Sequence, residues 1–409
     1  MLRKLIHPVG WTAAAALFLT GLLFFYPFPS LEAALRGVSI WWDVLFPALF
    51  PFFLISELML GFGLVHFFGA LFDPLMRPLF RIPGIGGFVM AMGFAAGYPV
   101  GARLTAQLWS QRLVNREEGE RLVAMTTSAD PIFLIGAVSV GFFQNAELAV
   151  VLAAAHYGGA VLLGLLMRFH GSRAPATERS SSLDQEAGPL LKRAFASMHE
   201  ARLKDGRPLG LMLQEAVSSS LRLMYVVGGL VVFFSVVMEA LRLSGALAPV
   251  YASLQTVFQW LAVPGALADA VVNGFFEVTL GAKAAGQAAA SPLLYKAMLA
   301  AFVLSWGGLS VHAQIASLLH QTNLRYVPFL VARFLHAVLA AVLVPIVWTP
   351  LQPVMAVWSG TAGDLSVGYV PDWGRTLAGS ATALLLVLAV LMLLSVLLCF
   401  LSRRTPSGR

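Results

Sequence analysis

The stretch GFAAGYPVGAR (93–103) interrupts an apolar run with glycine and proline and ends on a cation, and GFFEVTLGAK (274–283) repeats the glycines and the final cation later in the chain. With one gap, the aligned positions are Gly93 with Gly274, Gly101 with Gly281, and Arg103 with Lys283. A break in an apolar helix leaves backbone groups that need other partners when the helix lies in a membrane. The repeated break therefore predicts a membrane protein with two matched, interrupted segments.

The composition agrees with a membrane protein and excludes several other classes. Of the 409 residues, 58% are hydrophobic and 11% are charged, and the mean hydropathy is +0.80. A soluble domain carries roughly 25% charged residues, so a soluble enzyme, a disordered tail and a nucleic-acid binder are excluded. The net charge of +7 comes from cations at the ends of apolar runs. Cys399 is the one cysteine, so no intrachain disulfide can form.

Apolar stretches of about 20 residues are long enough to cross a bilayer as helices. The eight predicted spans lie near 11–28, 44–69, 121–143, 147–169, 223–243, 294–315, 327–349 and 377–402. Two further apolar stretches are interrupted in the middle, 82–113 by glycine and proline and 266–290 by glycine and polar residues. The first span follows Arg3 and Lys4 without a clear cleavage site, so we expect a retained signal anchor.

The positions of the cations predict the topology. Most Lys and Arg residues, including those of the loop 170–210, fall on one side if each broken stretch returns to the side from which it entered. Cytoplasmic loops carry such an excess of cations. We therefore expect an all-α polytopic membrane protein with about eight transmembrane helices, two re-entrant hairpins in an inverted repeat, and both termini in the cytoplasm.

These boundaries divide the chain into five parts. They are an N-terminal signal-anchor helix with an interfacial segment (1–43), a first repeat (44–169), a cytoplasmic linker (170–210), a second, inverted repeat (211–349), and an external loop with a C-terminal transmembrane helix (350–409). The linker carries mixed charge and one expected short helix near 188–204, and it is too small for a core of its own.

Each interrupted segment carries polar or ionisable side chains beside its break. A broken helix presents N–H groups at the start of one half and carbonyls at the end of the other, and a polar substrate or an ion satisfies them. The candidate substrate-binding residues are Tyr98 and Arg103 in the first hairpin, Ser128 and Asp130 in the next helix, Glu277, Thr279 and Lys283 in the second hairpin, and Ser310, His312 and Gln314 in the helix after it.

The two cations of the hairpins have two readings. Arg103 and Lys283, together with positive helix starts, would suit an anionic substrate. Alternatively, both extend to a membrane interface or pair with Asp130 and Glu277. The Ser and Thr residues beside Asp130 either line a cavity or only accompany a proline kink.

The membrane histidines and glutamates also have alternative interpretations. His312, beside two glycines, favours a cavity contact if its helix is unwound there, whereas His156 and His336 are expected to be contacts within the helix bundle. Glu57 and Glu239 hold matching positions in the two halves, and they either carry protons or form inter-helix hydrogen bonds.

Motifs for other chemistry are missing from the sequence. It has no metal-ligand spacing, Walker-type loop, nucleotide-binding fold or Ser/His/Asp signature. We therefore expect no enzyme activity, no metal and no cofactor. Any coupling to ATP would come from another chain, which favours secondary transport or facilitated passage.

Three motifs carry a resemblance to known families. TTSADPIFLIG (126–136) and WGGLSVHAQIASL (306–318) look like the two unwound helices of nucleoside-recognition gate domains related to concentrative nucleoside transporters, and GFFEVTLGAK is similar to their second hairpin. The arrangement of the whole chain resembles the sporulation integral membrane proteins of endospore-forming bacteria. Nucleoside transporters have a Gln-Thr-Glu type tip in the first hairpin, where this chain has Gly97-Tyr98-Pro99.

The resemblance implies transport of dipicolinic acid across the outer forespore membrane, from the mother cell toward the spore. Dipicolinate is a dianion of an aromatic ring, so Arg103 and Lys283 would each face one carboxylate and Tyr98 would stack on the pyridine. The expected partners are this small anion and the lipid bilayer, with a homo-oligomer or sporulation membrane proteins as further candidates and no nucleic acid. The alternatives are a transporter of nucleosides or another small metabolite, and a non-transporting sporulation membrane scaffold.

Overall fold

The computed structural model describes residues 8–177, 190–289 and 291–363, and every regular element in these ranges is a helix. The first half contains α1 (Pro8–Phe25), α2 (Pro27–Ser39), a π-helical turn (Ile40–Leu45), α3 (Phe46–Gly61), α4 (Leu64–Phe80), α5 (Ile85–Ala96), α6 (Tyr98–Ser110), α7 (Arg116–Thr126), a π-helix (Ile132–Phe142) and α8 (Leu148–Met167). The second half contains α9 (Leu190–Asp205), α10 (Leu209–Leu243), α11 (Ala248–Trp260), a 3-10 turn (Gly265–Leu267), α12 (Ala268–Phe276), α13 (Val278–Gln287), α14 (Leu293–Trp306), α15 (Gly308–Leu319) and α16 (Tyr326–Gly363).

The helices confirm an all-helical protein able to span a membrane several times. Four helical stretches of the described residues are long and apolar enough to cross a bilayer, or up to six if each bent pair counts as one span. The four are Leu148–Met167, Leu209–Leu243, Leu293–Leu319 and Tyr326–Leu351. The number of eight spans and the cytoplasmic position of both termini stay predictions, and the span expected at 377–402 lies outside the described residues.

Two of the predicted spans are bent in the structure. The segments Leu49–Gly61 and Leu64–Phe80 meet at an angle of 83°, where Gly63 adopts a left-handed conformation with a φ of 77°. Ala16–Phe25 and Pro27–Asp43 meet at 106°. Proline at the first position of α2 begins a new helix there, because it supplies no N–H to continue the old one. The 83° bend falls inside the predicted span 44–69, whereas the 106° bend falls near the end of the predicted span 11–28, before the segment expected to be interfacial.

Two other spans belong to longer helices than the sequence predicted. The span expected at 223–243 is part of α10, which has 35 residues, and the span expected at 327–349 is part of α16, which has 38 residues. In α10 the apolar pattern stops near Arg222, but the helix begins earlier, at Leu209. A helix can continue past the apolar window because its own backbone hydrogen bonds do not depend on the bilayer.

Both broken apolar stretches fold as pairs of short helices. α5 and α6 are separated by Gly97, which has a φ of 89°, and α12 and α13 are separated by Glu277 in an extended conformation. In the first pair, Gly93 lies so close to Thr126 of α7 that an added Cβ would be 2.5 Å from the Thr126 carbonyl oxygen. In the second pair, the matching Gly274 packs closely on Val303 of α14. Their re-entrant topology and the inverted relation of the two halves stay predictions.

The helix that follows each pair is interrupted at the predicted polar stretch. α7 ends at Thr126, and the π-helix begins at Ile132 after an irregular segment. α14 ends at Trp306, and α15 begins at Gly308 after Gly307, whose φ is 87°. Among the described residues, the two hairpins and the two helices that follow them thus contain one break each. The short helix expected in the linker is present as α9.

Candidate functional site

One buried cavity lies where the four breaks meet. Its volume is about 40 Å³. Its lining residues are Leu45, Leu49, Tyr98, Pro99, Asp130, Phe133, Val227, Val231, Glu277, Val278, Thr279, Ser310, Val311 and Gln314. A cavity of this width holds a few water molecules, so a ring compound would enter only if the walls moved apart.

The cavity lies at the starts of four helices. α6 begins at Tyr98, the π-helix at Ile132, α13 at Val278 and α15 at Gly308. Residues from the first turn of each line the cavity. The first N–H groups of a helix lack intrahelical partners and carry a partial positive charge. The backbone therefore gives this cavity a positive potential that favours carboxylate or phosphate groups.

Two of these helix starts are already capped by carboxylates. Asp130 accepts a hydrogen bond from the N–H of Phe133 at 2.8 Å, and Glu277 accepts one from the N–H of Leu280 at 2.9 Å. Both carboxylates belong to residues that line the cavity. Their negative charge balances the partial positive charge of the π-helix and of α13.

The other two helix starts have glycine as the N-cap residue and no side-chain cap. Gly97 precedes α6 and Gly307 precedes α15, both with a positive φ that favours glycine. One hairpin and one broken helix therefore keep uncapped starts, while the other hairpin and the other broken helix are capped. The start of α15 is the part of the cavity best suited to an anion. At α6, Pro99 has no N–H and the Val100 N–H already donates to the Gly97 carbonyl at 3.2 Å.

Two buried polar side chains of α15 line the same cavity. Ser310 and Gln314 are 1% and 4% exposed, and their spacing of one helical turn puts both on one face. Neither side chain forms a hydrogen bond with another described residue. Buried polar groups are normally paired, so these two are available to a bound molecule or to water.

Arg333, which is not among the residues predicted from the sequence, joins the two broken helices. It lies on α16 and is fully buried. One terminal nitrogen donates to the carbonyl oxygen of Thr127, at the end of α7, at 2.5 Å. The other donates to the carbonyl oxygen of Ser305, in the last turn of α14. A charged residue inside a predicted span is itself a functional signal. The predicted span 327–349 contains two titratable side chains, Arg333 and His336.

His156 forms a second link between the broken helices. Its Nε2 accepts a hydrogen bond from the N–H of Ala129 at 3.0 Å, so the proton of the neutral ring is on Nδ1. Nδ1 lies 2.8 Å from the Ser305 hydroxyl, and Ser128 lies 2.8 Å from Nε2. The ring stacks on His336. The expectation that both histidines are bundle contacts agrees with this packing.

Six of the ten candidate residues come together in the cavity, and four lie elsewhere. The six are Tyr98, Asp130, Glu277, Thr279, Ser310 and Gln314. Ser128 is bonded to His156. His312 packs on Trp306 with ring centroids 4.2 Å apart, and its Nδ1 lies 2.7 Å from the Tyr326 hydroxyl.

The two cations of the hairpins lie outside the cavity lining. Arg103 forms an ion pair with Glu57 of α3 and donates to the Ser219 carbonyl at 3.2 Å. Lys283 is exposed on the surface of α13. The expected pairing of Arg103 with a substrate carboxylate did not take account of Glu57, a mostly buried carboxylate from another helix. The expected position of Lys283 assumed that α13 turns this residue toward the break.

Comparisons with known proteins agree with the architecture. The family model described as Gate: Nucleoside recognition matches residues 43–171, which contain the first hairpin and the first broken helix. The sporulation integral membrane protein YlbJ of Bacillus subtilis (strain 168) is 42% identical over 370 residues, covering 88% of this chain and 89% of that protein. No solved structure matches the chain. At this identity and coverage, the chain belongs to the family of the sporulation integral membrane protein YlbJ.

Proposed function

We propose that this integral membrane protein is a transporter that moves dipicolinate, a small aromatic dicarboxylate, across the outer forespore membrane during sporulation. The observation that carries the proposal is the meeting of both hairpin tips and both broken helices in one buried cavity. Transporters build substrate sites from discontinuous helices in this way, with the helix starts pointing at anionic groups. The substrate passes without chemical conversion.

The chemistry of the cavity supports a substrate that is both aromatic and anionic. Leu45, Leu49 and Phe133 provide apolar walls, and the Tyr98 ring lies beside them. The uncapped start of α15 would bind one carboxylate through its N–H groups, and Ser310 and Gln314 would donate to the same carboxylate. At α6 the Tyr98 N–H would donate to the second carboxylate, because Pro99 has no N–H and the Val100 N–H is bonded to Gly97. This assigns carboxylate recognition to the backbone, since Arg103 and Lys283 lie outside the lining.

The link to sporulation rests on the relative. The Bacillus subtilis protein is named for sporulation and for its place in a membrane. Dipicolinate and the outer forespore membrane come from the resemblance drawn from the sequence motifs. The direction from mother cell to spore belongs to the same proposal.

A second candidate, transport of a nucleoside or another neutral heterocycle, has one observation in its favour. Asp130 and Glu277 put two carboxylates into the cavity lining, and these would repel a dianion while they remain charged. A neutral ligand with several donors would hydrogen bond to them instead. The matching family model carries the words nucleoside recognition.

Binding calorimetry on the purified full chain in detergent separates the candidates. The ligands are dipicolinate, isophthalate as a dicarboxylate without the ring nitrogen, picolinate with one carboxylate, and a nucleoside panel. We expect saturable binding of dipicolinate, weaker binding of picolinate, and no binding of nucleosides. Nucleoside binding without dipicolinate binding would reverse the order of the candidates. Absence of all binding would favour a non-transporting scaffold.

A matched pair of variants then locates the site. Gln314→Leu removes an amide from the cavity, and Gln255→Leu makes the same change on the exposed surface of α11. We expect about a tenfold loss of dipicolinate affinity for the first variant, because one lost charge-assisted hydrogen bond corresponds to about 1.4 kcal/mol or more. Equal affinities of the two variants would show that the ligand binds elsewhere.

A further inference from the structure

Arg333 is a buried cation in a helix that is apolar enough to span a membrane. α16 contributes the membrane-capable stretch Tyr326–Leu351, and Arg333 is fully buried within it. An arginine keeps its charge in proteins. Burial of an uncompensated charge is costly, so such residues mark functional positions and are held by specific partners.

The partners of Arg333 are the carbonyl ends of two broken helices. Its terminal nitrogens donate to the carbonyl oxygens of Thr127, which caps the end of α7, and Ser305, in the last turn of α14. The last carbonyls of a helix carry a partial negative charge and have no intrahelical partners. In transporters with broken helices, carbonyls of this kind coordinate the coupling cation.

The described side chains around Arg333 do not supply a carboxylate to pair with its positive charge. His156 bonds to Ser305 through its Nδ1 and accepts from the backbone of Ala129, so its ring is neutral. His336 donates from Nε2 to the His156 carbonyl at 2.8 Å. The carboxylates of Asp130 and Glu277 are bonded to helix starts instead. The guanidinium is therefore held by two carbonyl dipoles and by packing.

We propose that the Arg333 guanidinium is a built-in cation that occupies the place of a coupling ion between the two broken helices. By bonding to both carbonyls, it holds the end of α7 next to the end of α14. No bound Na⁺ or K⁺ is then needed between these two helix ends. The inference rests on the proposed transport function, because an ion site at the breaks matters only if they form a substrate path. The planar fork of arginine suits this position, since it reaches two carbonyls at once.

The first test is rescue of Arg333→Ala by guanidinium, read out as the Tm of the full chain in detergent without any substrate. The control is Leu134→Ala, which removes a fully buried apolar side chain near the same break. We expect both variants to lower the Tm by at least about 5 °C. Guanidinium chloride at about 20 mM, well below denaturing concentrations, should restore a large part of the loss in Arg333→Ala and none in Leu134→Ala.

Two further measurements keep the proposal testable if Arg333→Ala fails to fold. Arg333→Lys should fold, with a Tm below that of the wild type, because an ammonium group reaches the two carbonyls less well than a guanidinium group does. Where Arg333→Ala also folds, the Tm of Arg333→Lys should lie between the other two. Wild-type binding of dipicolinate should be unchanged when Na⁺ and K⁺ are replaced by choline.

Either of two results would overturn the proposal. One is equal response of Arg333→Ala and Leu134→Ala to guanidinium, which would mean that Arg333 only fills space. The other is loss of wild-type ligand binding in choline, which would mean that a separate cation is required. Because the Tm measurements use no substrate, they stand even if dipicolinate proves to be the wrong ligand.

Discussion

The hydroxyl group of Tyr98 donates a hydrogen bond to the carbonyl oxygen of Leu304 at 2.8 Å. Tyr98 begins the second helix of the first hairpin, and Leu304 lies in the last turn of α14 in the other half of the chain. The bond therefore ties the tip of one hairpin to the broken helix of the opposite half. Because Tyr98 also lines the cavity, any widening of the cavity between the halves has to strain or break this bond.

Replacement of Tyr98 by phenylalanine should weaken the contact between the halves. The change leaves the Leu304 carbonyl buried without its partner, which costs about 1–3 kcal/mol. The matched control is Tyr157→Phe, which removes a hydroxyl bonded at 3.0 Å to the Ala129 carbonyl within the first half. Both variants should lower the Tm, but Tyr98→Phe alone should make the cavity easier to open. Equal ligand association rates in the two variants would contradict this role.

The ion pair between Arg103 and Glu57 should contribute to stability rather than to ligand binding. Both side chains are mostly buried, at 13% and 14% exposure. Removal of one partner of such a pair costs about 3–5 kcal/mol, because the other charge is left uncompensated. We expect Arg103→Met and Glu57→Gln each to destabilise the protein strongly, and the double variant to be less destabilised than the sum of the two.

Denaturation of the two single variants and the double variant completes this double-mutant cycle. The double variant should also retain dipicolinate binding, because neither residue lines the cavity. Additive losses of stability would show that the two charges do not interact. Selective loss of dicarboxylate binding would return Arg103 to the ligand site.

Most of the cavity could be predicted from the sequence because helix breaks leave a local signature. Glycine and proline in an apolar run mark where the backbone lacks partners, so the residues around Tyr98, Asp130, Glu277 and Ser310 were identified without knowledge of the packing. The same reasoning predicted that the helices after each hairpin are interrupted, at Thr126 and at Gly307. The sequence also contains the glycine before each uncapped helix start, but only the helix boundaries in the structure show that this glycine is the N-cap residue.

The remaining parts of the site depend on contacts between distant segments. Arg103 pairs with Glu57, and Arg333 bonds to carbonyls of residues in both halves. Sequence position gives no distance between such groups. Arg333 lies in an unbroken helix, so the signature of helix breaks does not point to it. The sequence signal that does point to it is a single charge inside an apolar run.

The close packing of Gly93 on α7 predicts a sharp difference between two glycines. A Cβ at position 93 would lie 2.5 Å from the Thr126 carbonyl oxygen, whereas a Cβ at position 229 on α10 would meet no atom within 4 Å. We expect Gly93→Ala to destabilise by about 1–3 kcal/mol or more, since backbone must move. Gly229→Ala should be neutral or stabilising by up to about 1 kcal/mol. Thermal unfolding of both variants tests this, and similar Tm values would refute the close approach.

The two acidic caps provide the final prediction, because their charge distinguishes a dianionic ligand from a neutral one. Asp130 and Glu277 each accept a backbone N–H bond through one carboxylate oxygen. Asn and Gln keep an oxygen at the same place, so Asp130→Asn and Glu277→Gln preserve the caps while they remove the negative charge.

If the ligand is dipicolinate, each of these substitutions should tighten its binding by about tenfold, or about 1.4 kcal/mol, because a like charge near the ligand is removed. The affinity for a neutral heterocycle should hardly change, or should fall if a carboxylate accepts its hydrogen bonds. Calorimetric titration of both variants measures this, with Glu239→Gln as the control for a carboxylate that pairs with Arg36 and Arg242 away from the cavity. A loss of dipicolinate affinity in both variants would mean that the acidic side chains assist anion binding, for instance as protonated carboxyl groups that donate to the ligand. Asp130 and Glu277, and not the helix starts, would then be the groups that recognise the carboxylates.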